Sequence, residues 1–144
     1  MSSTPARTAS AAGQVALGSA LLFAGTTHLT VAREEFQAQV PSWFPVDPDL
    51  VVLASGVVEI GLGLALVSVW KQPARGITGA IVAGFFVAVF PGNIAQLTEH
   101  KDGFGLNTDA ARAVRLLFQP LLVAGALAST GAVRTLRTLR RKRT

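Results

Sequence analysis

Four long apolar runs, separated by short polar connections, dominate the chain: Ala11 to Leu29, Leu50 to Trp70, Gly76 to Leu97, and Ala113 to Val133. Each meets the length of about 20 mostly apolar residues that a helix needs to cross a bilayer. The pattern predicts an all-α integral membrane four-helix bundle. The first run is rich in Ala and Gly, but its flank carries only Arg7 and no A-x-A site follows it. It is therefore expected to be a retained helix rather than a signal peptide. The division is a tail over 1–10, a membrane domain over 11–133 and a basic tail over 134–144, with no internal repeat.

The connections differ in character. Residues 30–49 form a long loop holding Arg33, Glu34, Glu35 and the stretch Val40-Pro41-Ser42-Trp43-Phe44-Pro45. Residues 71–75 form a tight turn with Pro73, and residues 98–112 are polar, with Gly103 and Gly105 as breakers. Small residues recur every four positions at Ala12, Ala16, Ala20 and Ala24, and at Gly76, Ala80, Gly84 and Ala88. Ser55 and Gly63 flank Glu59 in the same way. Such stripes are expected to face neighbouring helices and let them approach closely.

Composition agrees. Hydrophobic residues make up 50% of the 144 residues, charged residues only 15%, and the mean hydropathy is +0.46. The absence of cysteine removes disulfides, thiolate metal sites and CxxC redox chemistry. A bis-histidine haem would consume both histidines, and His100 lies in a polar loop; no metal site is expected. The high isoelectric point reflects a C-terminal basic cluster, read as an orientation signal and anionic-lipid contact rather than nucleic-acid binding.

Charge also orients the chain. The two termini and the second connection hold nine Lys and Arg residues and no acid, whereas the other two connections hold seven of the eight acids. The positive-inside rule then places both termini in the cytoplasm. Trp43 and Phe44 would mark the outer interface and Trp70 the inner one.

Candidate chemistry is a small polar set inside apolar runs: His28, Glu59, Asn93, Gln96, Arg115 and Gln119. A carboxylate at mid-bilayer costs roughly 2.5–3.5 kcal/mol, so Glu59 needs a partner, a proton or a wet cavity. Arg115 and Gln119 share one helix face, and Pro91 withholds an amide near Asn93. The alternatives are structural. Glu59 and Arg115 would lock two helices, Arg115 would snorkel to headgroups, and Asn93 with Gln119 would serve as interhelical glue. His28 would be a hydrated cap, and His100 a solvated loop residue.

Several segments in order carry a family likeness: His28 after Phe23-Ala24-Gly25, then Val40-Pro41-Ser42-Trp43-Phe44-Pro45, Ser55-Gly56-Val57-Val58-Glu59, Phe90-Pro91-Gly92-Asn93, and Arg115-Leu116-Leu117-Phe118-Gln119. Over roughly Gly18 to Ala126 they resemble the DoxX-like family of small bacterial four-helix membrane proteins. Gly92 stands where that family usually has a residue such as Ala, and Leu117 where it often has Pro. The resemblance implies a multi-pass protein of the bacterial inner membrane, associated with redox complexes. On that reading the polar set hydrogen-bonds a quinone, Glu59 exchanges the proton of its reduction, and a soluble oxidoreductase partner supplies electrons. The chain alone is not expected to be catalytic, and no covalently bound cofactor is implied. The alternatives are a membrane binding or transport module for a small apolar molecule, and a scaffold without chemistry. Oligomeric state is open.

Overall fold

The computed structural model describes residues 4–143. It is all helical: α1 (Thr4–Leu29), α2 (Arg33–Gln37), α3 (Pro48–Ser68), α4 (Ala74–Thr98), α5 (Asp109–Thr130) and α6 (Ala132–Arg141). The four long helices are those the apolar runs predict, and all four are long and apolar enough to cross a membrane. They alternate in direction, so α1 begins and α5 ends at one end of the bundle, called the basic end here. The opposite, capped end carries α2 and the two acidic connections.

Local chemistry sets the boundaries. The Asp47 side chain accepts from the amides of Asp49 and Leu50, and Pro48 occupies the first turn, where its missing amide costs nothing. Thr108 caps α5 by accepting from the Ala111 amide, which starts that helix before Ala113. α3 stops at Ser68 because Val69 is extended, leaving Trp70 outside the helix. α1 starts at Thr4, so most of the expected N-terminal tail continues the first helix. Gly131, in the left-handed conformation at φ 71°, ends α5. Most of the basic tail then forms a separate helix, α6.

Packing corrects the small-residue stripes. The buried face of α1 is Gln14, Gly18, Leu21, Gly25 and His28, and that of α3 is Val52, Gly56, Glu59, Gly63 and Leu66. Both alternate steps of four and three, the 3.5-residue repeat of left-handed helix pairs. A strict four-residue step drifts off such a seam. Ala12, Ala16 and Ala20 are accordingly exposed, as are Gly84 and Ala88 on α4. In the antiparallel α1–α3 pair Gly18 faces Gly63 and Gly25 faces Gly56. A Cβ on Gly25 would lie 2.6 Å from the Gly56 carbonyl oxygen. α4 packs chiefly on α5 and α1 also touches α5, whereas α3 and α4 barely meet.

A polar cluster that the sequence reading overlooked closes the basic end. Gln14, fully buried, donates to the carbonyls of Leu66 at 2.7 Å and Val69 at 3.0 Å, and its own oxygen accepts from Arg75 Nε at 2.5 Å. Arg75 also donates to Ser10 Oγ and to the Ser129 carbonyl, and its guanidinium lies over the Trp70 ring. Gln72 donates to the Thr130 carbonyl and accepts from Thr135 and from the Gly76 amide. α1, the α3–α4 turn, α5 and α6 are tied together there.

Candidate functional site

In the half of the bundle toward the capped end, the four long helices diverge around a cavity of about 370 Å³, within the range typical of small-molecule sites. His28, Glu59, Asn93, Arg115 and Gln119 line it, on four different helices. Gln96 does not. It is buried under Gly103 of the α4–α5 loop, with its amide nitrogen unpaired. Most of the lining is apolar, from residues such as Leu21, Val52, Phe86 and Leu122. Ala20 and Ala24 widen the wall with their small side chains instead of forming a helix contact.

The cap forms the mouth. Phe36 of α2 stacks on the His28 ring and meets Phe104 edge to face at 4.6 Å. Gln39, Val40, Pro41, Trp43 and Phe44 complete the rim. This seat depends on Gly92, because a Cβ there would lie 2.3 Å from the Gln39 carbonyl oxygen. The glycine that departs from the DoxX-like pattern thus has a physical role here. A clasp holds the cap down. Glu99 accepts from Ser42 N at 3.1 Å and Ser42 Oγ at 2.5 Å, and Lys101 Nζ lies 2.7 Å from the carboxylate and 2.6 Å from the Val40 carbonyl. Lys101 foremost, and then Ser42, hold the Glu99 carboxyl well below the usual range, at about 2. A second tie runs from Arg33 to Asp49. Arg112, the last residue of the polar connection expected over 98–112, is buried in the first turn of α5 and binds Asp102, Asp109 and the Lys101 carbonyl.

The hydrogen bonds within the cavity have a fixed polarity. The Phe86 carbonyl can only accept, so Gln119 must present its NH₂ to it, at 2.8 Å. Gln119 Oε1 then accepts from Asn93 Nδ2 at 3.0 Å. Asn93 Oδ1 is left buried with no partner. The same argument applies to His28. Its Nδ1 lies 2.8 Å from the Ala24 carbonyl oxygen, which fixes the proton on Nδ1 and its donation to that carbonyl. Glu59 Oε2 is 3.2 Å from the same nitrogen, but the single proton goes to the nearer acceptor, and Oε2 has no hydrogen bond of its own.

Glu59 therefore neighbours His28, and the Glu59–Arg115 lock considered from sequence does not form. Arg115 is half-buried and attracts Glu59 only across a longer gap. The site thus presents two buried acceptors that receive no hydrogen bond, Glu59 Oε2 beside His28 and Asn93 Oδ1. The donors Arg115 and Gln39 Nε2 line the same space.

No curated protein and no solved structure matches the chain at a significant level. A family model described as a domain of unknown function (DUF8561) matches residues 17–130, from within α1 to the last residue of α5, and so includes the whole cavity lining and leaves α6 outside. The chain belongs to this DUF8561 family.

Proposed function

We propose that the protein is an intramembrane binding module for a small lipid-soluble molecule with a hydroxyl-bearing head group. The observation that carries this reading is the pair of buried acceptors, Glu59 Oε2 and Asn93 Oδ1, lining an apolar cavity without hydrogen-bond partners. Each unmet polar group costs about 1–3 kcal/mol. A ligand hydroxyl donating to either one removes that cost, while the apolar wall takes the rest of the molecule. Arg115 and the cap provide donors for a carbonyl or second hydroxyl.

The quinone-linked reading is a specific form of this proposal, favoured by the His28–Glu59 pair beside the cavity. A hydroquinone has the hydroxyl donors that the two acceptors call for. It is the product of reducing a quinone with two electrons, which a partner oxidoreductase would supply, and two protons, which Glu59 and His28 are placed to relay. The resemblance to DoxX-like proteins points the same way. The setting we infer is the bacterial inner membrane, with both termini cytoplasmic.

The test is mass spectrometry of small molecules retained by gently solubilised wild type, Glu59→Leu and Asn93→Leu proteins. A defined hydroxylated or quinonoid molecule held by wild type and lost from both variants is the expected result. Phospholipid alone, equal in all three, would overturn the proposal and leave the cluster as a helix-packing device.

A further inference from the structure

A second concavity lies at the basic end, on the outside of the bundle, where α6 turns away from α5. Its volume is about 680 Å³. Ala124, Leu127 and Ala128 of α5 form an apolar floor, and Arg134, Arg137, Thr138 and Arg141 of α6 form the rim. The four rim residues fall on one face of the helix, at steps of three, one and three. α6 is held rigidly over this floor. Gly131 sets the turn, Ala132 and Thr135 are buried, and Thr135 Oγ1 donates to Gln72 Oε1 at 2.9 Å. The spacing of the arginines along one face is therefore set by a packed helix.

We propose that this groove is a specific site for an anionic phospholipid. The phosphate would sit between Arg134 and Arg137 at the rim, and the upper part of an acyl chain would lie along Leu127 and Ala124. Charge complementarity carries the assignment. All the charged residues of this end are basic, and guanidinium groups grip phosphate oxygens through paired N–H donors. The floor explains why the occupant is a lipid and not a soluble phosphate. Seven residues of helix from Gly131 to Ala124 descend about 10 Å, into the depth of the acyl chains. The site is separate from the cavity near Glu59, lies outside the DUF8561 match in its α6 half, and does not depend on the function proposed above.

The experiment is a thermal-shift titration of the full-length protein in neutral detergent with short-chain phosphatidylglycerol, phosphatidylcholine and inorganic phosphate. Two variants of equal charge are compared, Arg134→Gln/Arg137→Gln in the groove and Arg140→Gln/Arg143→Gln outside it. The expected result is saturable stabilisation by phosphatidylglycerol, none by phosphatidylcholine, and a midpoint at least about tenfold weaker in the groove pair only; each lost arginine contact of about 1 kcal/mol corresponds to roughly fivefold. Equal weakening in both pairs would show diffuse attraction and overturn the site. Stabilisation by inorganic phosphate over the same concentration range would overturn the lipid as its occupant. The unliganded melting temperatures of the variants verify that both still fold.

Discussion

Buried polar side chains in this bundle fall into two kinds, separated by whether their hydrogen bonds close. Gln14 at the basic end has partners for both ends of its amide, on α3 and on Arg75. Gln119 is likewise satisfied, by Phe86 and Asn93. Asn93 Oδ1 and Glu59 Oε2 are not. Interhelical hydrogen bonds in membranes contribute about 0.6 kcal/mol each. Gln119→Leu, which breaks two, is therefore expected to destabilise by about 1 kcal/mol. Glu59→Leu removes a mid-span carboxylate that accepts no hydrogen bond, and is expected to leave the melting temperature unchanged or raised while abolishing ligand retention. Melting curves in the same detergent measure both. A drop for Glu59→Leu as large as that for Gln119→Leu would make the glutamate structural and contradict the assignment.

Helices as elements show why the sequence disclosed some of this arrangement and hid the rest. The four spans were legible because about 20 apolar residues in a row have few alternatives. The polar residues inside them were legible because they are rare there. Which face each helix buries was not, since a four-residue stripe of alanines is conspicuous, whereas the true seam mixes Gln14, Gly18, Leu21, Gly25 and His28. Glu59 met His28 and not Arg115 for that reason: His28 and Glu59 lie on the seams of the paired helices α1 and α3. The break at Gly131 was concealed inside an apolar run, and α2 is too short for periodicity to reveal.

The observed seam makes a paired prediction. Gly25→Ala forces a Cβ onto the Gly56 carbonyl and is expected to cost about 1–3 kcal/mol. Gly84→Ala, with open space around its Cβ, is expected to gain up to about 1 kcal/mol from helix propensity. Chemical or thermal unfolding of the two variants decides it, and equal effects would mean that the 3.5-residue register is wrong. The cap is a different kind of element, closed by charge. Because the Glu99 carboxyl titrates at about 2 in the folded chain, lower than its ordinary value of 4.5, the clasp contributes fully above pH 4.5 and is lost as pH falls toward 2. Trp43 beside Ser42 reports this once Trp70 is replaced by Phe. Its emission should change between pH 4.5 and 2 in the wild-type clasp and stay flat in Glu99→Gln; a matching transition in both would assign the change to another group.

Across the whole molecule the two ends are built on opposite electrostatic terms. The basic end gathers the turn, the helix termini and α6 around Arg75 and Gln14, and its charged residues are all cationic. The capped end is tied by carboxylates: Glu99 to Ser42 and Lys101, Asp49 to Arg33, Asp109 to Arg112. In a bilayer this asymmetry acts as an orientation signal, because translocating Lys and Arg is disfavoured and acids count little. With four spans both termini lie on one side, and the orientation proposed above makes that side the cytoplasm. On that proposal the cavity, its mouth rimmed by Trp43 and Phe44, faces the opposite leaflet, and the proposed ligand would enter from the non-cytoplasmic half of the membrane. The chain has no cysteine, so single substitutions report position without background. Asn107→Cys in the α4–α5 loop should react with a membrane-impermeant maleimide in intact cells, and Lys142→Cys only after lysis. The reverse pattern would turn the protein over and make the cavity open toward the cytoplasm. Labelling of both in intact cells would break the four-span parity on which that entry route depends.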